Sequence, residues 1–341
     1  MNLEEIFSLA IKSRASDVHL VVDLPPVLRI NGILSRLENY PPVSQKDLLD
    51  FVEKNLNNLQ KKNLFDNREL DLSYVTSEEK TLLRVNIFWE KGNLALAARV
   101  IWPHIPTMEE IDLPPVAYDL VKLRQGLIII TGPAGCGKST TLASMLDYIN
   151  EHRICHIVTF EDPIEFVFSS KRSVISQREL GQDMISFAEA LKHVVRQDPN
   201  VIMVGEMRDL ETISLAITLA ETGHLILATL HTPSAPQTIA RIIDVFPPNQ
   251  QFQIRLQLSL ALKAIICQHL VPTVDGGRTA AREVLINIPA ISNLIRENQI
   301  QQIISSIQTG ANYGMFTMAQ DLKRLAGNKT ISKETFLSYA V

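Results

Sequence analysis

Residues 132–140 read Gly-Pro-Ala-Gly-Cys-Gly-Lys-Ser-Thr, a full match to G-x-x-x-x-G-K-[ST]. The chemistry such a stretch suits is phosphate binding. Gly132, Gly135 and Gly137 let backbone N–H groups converge on phosphate oxygens, and a helix opening at the lysine adds the positive end of its dipole. Lys138 is placed to reach the β- and γ-phosphates with Thr140, and Ser139 to ligate Mg²⁺. Pro133, Ala134 and Cys136 fill the free positions, and Cys136 reads as a tolerated small residue rather than a redox switch. The run LIIIT before the loop and the helical pattern after it supply the strand–loop–helix context that this motif requires.

Acids and histidines follow at the ends of further apolar runs. VTFEDPIEF (158–166) gathers Glu161, Asp162 and Glu165 around Pro163. It reads either as a polar loop after a strand or as a catalytic edge, with Asp162 as a turn former. Glu161, at the strand end, suits support of a metal's water. Glu165, beyond the proline, suits projection toward an attacking water, and the assignment of the general base to Glu165 competes with Glu161. VIMVGEMRD (201–209) ends a buried strand in Glu206, where a phosphate-loop enzyme holds Mg²⁺ through water, while Asp209 suits a helix cap. In TGHLILATLHT (222–232), His231 leaves a strand as a candidate sensor of bound nucleotide, and His224, before that strand, is a weaker candidate. The other histidines lack metal-ligand spacing.

The elements that must carry these groups fall into two patterns. Up to residue 101 the chain reads as α+β: a helical face over 3–11, a strand in SDVHLVV, a hairpin in VLRINGILSRL around Asn31-Gly32, a helical pattern over 44–60, and three antiparallel strands in DLSYV, TLLRVNIFW and LALAARVI. WPHIPTMEEIDLPP (102–115) then carries four prolines and reads as a linker or hinge. From Gln125 strands and helices alternate, with strands so uniformly apolar that both faces must be buried, as in a parallel sheet. The expected helices are 138–151, 186–196 and 209–221; LQLSLALKAII reads as one buried helix, and the chain from Pro236 as mostly helical. The expected division is therefore 1–101, linker 102–115, and 116–341.

Bulk properties narrow the class. The 341 residues are 46% hydrophobic and 21% charged, with 33 basic and 37 acidic side chains, a net charge of −4 that argues against a nucleic-acid binder. Three cysteines without a CxxC pair point to a reducing compartment and no zinc. The acidic start MNLEEIFSLAIK does not read as a secretory signal, and no run approaches the roughly 18 apolar residues of a membrane span. Together these predict a cytoplasmic protein.

Several stretches together resemble a known family. ASDVHL (15–20), GPAGCGKST, VTFEDPIEF, SQRELGQDMISF (176–187), RQDPNVIMVGEMRDLETI (196–213), ETGHLILATLHT and RIIDVFP (241–247) occur in the order and spacing of the secretion ATPases of type IV pili and type II secretion. AISNLIRE (290–297), then IQTG and GMFTM, resembles the twitching-motility retraction branch. Extension and secretion members usually carry an added amino-terminal domain and a four-cysteine zinc motif, and this sequence shows neither. The resemblance implies a PAS-like α+β amino-terminal domain, a RecA-like ATPase domain with carboxy-terminal helices, ATP and Mg²⁺ as ligands, and a homohexamer. It further implies an inner-membrane pilus platform as partner, a paralogous retraction ATPase as another, membrane association only through partners, and rotation of domains driven by hydrolysis. It points to Glu165 as the base and to Arg84 and Arg99 as the arginines that clamp a nucleotide. The chain departs from the retraction signature at Ser292, where arginine is usual, and at Ala319, where an acid is usual.

Overall fold

The computed structural model describes residues 1–30, 32–78, 81–101 and 104–339. The chain forms two compact units, Met1–His104 with Glu161–Val167 and Arg178–Ser186, and Ile105–Phe160 with Phe168–Gln177 and Phe187–Val341. Two segments from the 116–341 range thus pack with the first unit.

The first unit is built on an antiparallel sheet of β1 (Asp17–Val21), β2 (Val27–Ile30), β3 (Ile33–Arg36), β4 (Glu69–Val75), β5 (Leu82–Glu90) and β6 (Asn93–Ile101), in the order β3-β2-β1-β6-β5-β4. Alternation along β5 buries Leu83, Val85 and Ile87 and turns Arg84 to the other face. Those apolar groups pack with Ile6 and Phe7 of α1 (Leu3–Lys12), Leu48 and Val52 of α2 (Gln45–Asn55), and Leu64 of α3 (Asn58–Asn67). The β2–β3 hairpin forms where expected, although Asn31 lies outside the described residues. The expected helical stretch 44–60 is two helices. Asn57 accepts from Gln60 N–H in a capping box, which starts α3 afresh after Leu56 has taken an extended conformation.

The second unit carries β7 (Gly126–Thr131), β8 (His156–Glu161), β9 (Val174–Glu179), β10 (Val201–Val204), β11 (Leu225–Leu230), β12 (Leu262–Pro272) and β13 (Arg278–Ile286), ordered β13-β12-β7-β11-β10-β8-β9. The pairs β12–β7, β7–β11, β11–β10 and β10–β8 are parallel. Its helices are α4 (Pro115–Leu120), α5 (Lys138–His152), α6 (Phe187–Val194), α7 (Leu210–Glu221), α8 (Ala235–Asp244), α9 (Pro248–Ala261), α10 (Pro289–Arg296), α11 (Ile303–Thr309), α12 (Met318–Gly327) and α13 (Lys333–Tyr339). Every residue of β7 and β11 is buried, as their unbroken apolar runs demand. The class is α/β, as expected.

The carboxy-terminal reading needs correction. The chain from Pro236 is mostly helical, as expected, but LQLSLALKAII is not one helix: α9 ends at Ala261 and Leu262 is extended. From there β12 pairs parallel to β7 and antiparallel to β13. The apolar run satisfies helix and buried strand equally well, and the open edge of β7 decides for the strand. The expected linker begins at Trp102 and Pro103, which lie outside the described residues. Its far end is pinned within the second unit. The buried Arg282 guanidinium donates to the carbonyls of Ile111 and Asp112, each at 2.7 Å, and Arg324 reaches the Asp112 carboxylate at 2.9 Å. Burial pulls Arg282 down to about 10. A cavity of about 290 Å³ lies beside these arginines and includes no phosphate-loop residue. Among the described residues, no helix is long and apolar enough to cross a membrane.

Candidate active site

The phosphate loop leaves β7 at Thr131 and ends where α5 begins at Lys138. Gly132 sits at φ 139°, and a Cβ there would lie 2.2 Å from the Gln268 carbonyl oxygen, so the tight turn past β12 requires glycine. Gly137, at φ 89°, precedes the first turn of α5 in the left-handed conformation. Gln268 fixes the loop from behind: its Nε2 donates to the Cys136 carbonyl at 2.8 Å, and its Oε1 accepts from Thr141 Oγ1 at 2.9 Å. Thr131 Oγ1 donates to the Thr232 carbonyl at 2.7 Å and accepts from Thr232 N–H at 3.0 Å, tying the exit of β7 to that of β11. Cys136 is buried, and burial pushes its thiol up despite the nearby Lys138 charge, which fits an inert residue.

Lys138 is buried and donates to the carbonyls of Gly132 at 2.9 Å and Pro133 at 3.0 Å. Its Nζ also lies 3.2 Å from His231 Nδ1. An ammonium can only donate, so Nδ1 accepts, and the ring proton sits on Nε2, 3.3 Å from Glu206 Oε1. Glu206 Oε2 in turn accepts from Arg208 at 2.8 Å. The structure therefore brings Lys138, His231 and Glu206 into one polar chain at the carboxyl ends of adjacent parallel strands. Glu206 is held on both sides, because Gly205 N–H donates to Phe160 O at 2.8 Å and Met207 N–H to Thr229 O at 3.2 Å. Burial works to raise the Glu206 carboxyl, but the Arg208 hydrogen bond and charge, followed by His231, hold it below its ordinary value. Asp209 caps α7 by accepting from Thr212 N–H at 2.8 Å.

The loop fits a triphosphate with Mg²⁺. Its glycines keep the cradle free of side chains, its lysine ammonium is held by the Gly132 and Pro133 carbonyls, and Ser139 follows in the first turn of α5. A hydroxyl, one carboxylate and water is the sparse oxygen set Mg²⁺ takes beside phosphate. His224 stands apart within this unit. It precedes β11, at the opposite end of that strand from His231, and its Nδ1 lies 3.0 Å from Leu219 O at the end of α7.

The other expected residues belong to the first unit. Arg29, Asp17, Arg99, Arg84 and Ser73 are successive cross-strand partners over β2, β1, β6, β5 and β4, so they share one face. Arg99 Nε donates to Asp17 Oδ1 at 2.9 Å, and Arg84 Nη1 donates to Glu165 Oε1 at 3.3 Å. Burial works to raise Asp17, but hydrogen bonds from Ser16 and Arg99 lower it overall. Glu161, the last residue of β8, is buried, and its carbonyl accepts from Leu180 N–H at 2.9 Å. The Asp162–Pro163 peptide is cis. Gln268, Arg208, Thr131 and Ser73 carry contacts to which no local residue pattern points.

Residues 1–311 match the family described as Type II/IV secretion system protein. The type IV pilus retraction ATPase PilT of Pseudomonas aeruginosa is 44% identical over 334 residues, covering 98% of this chain and 96% of that protein. A twitching motility protein of Neisseria gonorrhoeae is 46% identical over 310 residues, covering 91% of this chain and 82% of that protein. A crystal structure of the pilus retraction motor PilT with bound ADP superposes with a TM-score of 0.90 at 43% identity, covering 99% of this chain and 97% of that one.

Proposed function

Because this chain belongs to the type II/IV secretion system protein family, we propose that it is an ATP-hydrolysing motor that powers type IV pilus retraction. The observation that carries the reading is the Lys138–His231–Glu206 chain at the mouth of a complete phosphate loop. Lys138 and Thr140 bind the phosphates, with the N–H groups of Gly132–Gly137 cradling them. Ser139 and Glu206 would hold Mg²⁺, which would offset negative charge on the phosphates. His231 reports occupancy, since a phosphate drawing the lysine forward alters the partner of its Nδ1. Glu165 accepts the proton of the attacking water, and Glu161 would support the water bound to the metal. Arg84 and Arg99 offset charge on the transferred phosphoryl group.

The protein works as a homohexamer, cytoplasmic and docked on an inner-membrane pilus platform protein, with a paralogous retraction ATPase as a further partner. Nucleotide-driven rotation of its domains is the power stroke. Ser292, at the position where arginine is usual, holds α10 to α9 by donating to the Ser259 carbonyl at 3.0 Å. A strain lacking the protein is expected to keep surface pili and lose twitching, with recovery by the wild-type chain and none by Lys138→Ala. Loss of pili in that strain would instead indicate extension.

A further inference from the structure

The acid loop of the first unit is fastened to the sheet by a closed ring of hydrogen bonds around Glu179. This carboxylate is 2% exposed and sits at the last position of β9. Its Oε1 accepts from Ser73 N–H at 3.0 Å, and its Oε2 accepts from Ile164 N–H at 3.0 Å. Ser73 Oγ completes the ring by donating to the Ile164 carbonyl at 2.8 Å. Both backbone polar groups of Ile164 are thereby committed. Glu179 is itself restrained: its N–H donates to Asp183 Oδ2 at 2.9 Å, and its carbonyl accepts from Asp183 N–H at 2.8 Å.

The register makes this ring relevant to chemistry. Ser73 and Arg84 are directly opposed on β4 and β5. Ser73 grips Ile164, and Arg84 grips the next residue, Glu165, at 3.3 Å. Two neighbours on the loop are thus locked to two neighbours across the sheet. A carboxylate suits the centre of this ring because it presents an acceptor to each of two backbone donors. Glutamine has the same shape but would turn an amide donor onto one of those N–H groups.

We propose that Glu179 is a positioning residue for Glu165, fixing the base through Ile164 and Ser73; this rests on the reading of Glu165 as the base. A displacement of about 1 Å at such a group costs up to about 10²-fold in rate.

The test uses the purified full chain, measuring kcat, KM and the affinity for fluorescently labelled ADP. Glu179→Gln is expected to lower kcat by about 10-fold or more with ADP affinity unchanged. Added to Glu165→Gln, it is expected to leave the residual turnover where it was, because its action runs only through Glu165. Wild-type kcat in Glu179→Gln, or a further equal loss in the Glu165→Gln background, would overturn the proposal. If Glu179→Gln does not fold, Ser73→Ala decides, since it removes only the hydroxyl bond to Ile164. A lowered kcat with retained ADP affinity supports the ring, and wild-type kcat refutes it. Failure of the underlying reading looks different: Glu165→Gln would itself turn over at the wild-type rate.

Discussion

Arg84 and Glu165 meet at 3.3 Å, guanidinium Nη1 to carboxylate Oε1, in the same unit and on the sheet face that also carries Arg99. The pair keeps an exposed arginine ordered without burying its charge, leaving it available to an anion. Arg84→Ala is expected to lower ATP turnover by roughly 10³-fold while ADP still binds. Steady-state kinetics beside an ADP titration separate the two effects, and an equal loss of both would assign Arg84 to ground-state binding.

Lys138 is fixed by two loop carbonyls and His231, so its charge is in place before nucleotide arrives. Lys138→Ala is expected to abolish turnover. His231→Ala is expected to leave ADP binding and reduce turnover by about 10²-fold at most, the scale of a displaced polar partner. Wild-type turnover in Lys138→Ala would dismiss the site assignment.

Gln268 joins the loop to α5 through bonds to Cys136 and Thr141. Gln268→Leu removes both and leaves the Cys136 carbonyl buried without that donor, a cost of about 1–3 kcal/mol. Thermal unfolding is expected to come at lower temperature, and ADP affinity to fall because the cradle loses its backing. An unchanged midpoint would show that the loop holds its shape without Gln268.

Glu206 carries the pH dependence. Its folded-state carboxyl lies below the ordinary value of 4.5, so its contribution to stability is present above that value and is lost as pH falls through the lowered one. Arg208→Gln removes the larger of the two lowering partners. The wild type is therefore expected to unfold at a higher temperature than Arg208→Gln near neutrality, with the gap closing as pH drops well into the acid range. A gap independent of pH would mean that Arg208 acts by packing.

What the sequence made legible was local. The phosphate loop, Glu206, His231 and the Asp209 cap all follow from short runs, because a strand end fixes the residue after it. The hairpins of the first sheet were legible for the same reason. What stayed hidden depends on distant partners: Ser73 lies 106 residues from Glu179, and Gln268 lies 132 from Cys136. The strand β12 was misread because an apolar run cannot declare its period when both faces are buried. The membership of Glu161–Val167 in the first unit was equally out of reach, since it rests on the Glu179 ring and Arg84 rather than on any pattern in VTFEDPIEF.

The most direct test is Mg²⁺-dependent ATP turnover by the purified chain beside its Glu165→Gln and Glu161→Gln variants, with ADP binding measured on all three. The account predicts steady turnover by the wild type, bound nucleotide with only a small residual turnover in Glu165→Gln, and a partial loss in Glu161→Gln. Normal turnover in Glu165→Gln together with none in Glu161→Gln would contradict it and move the base to the end of β8.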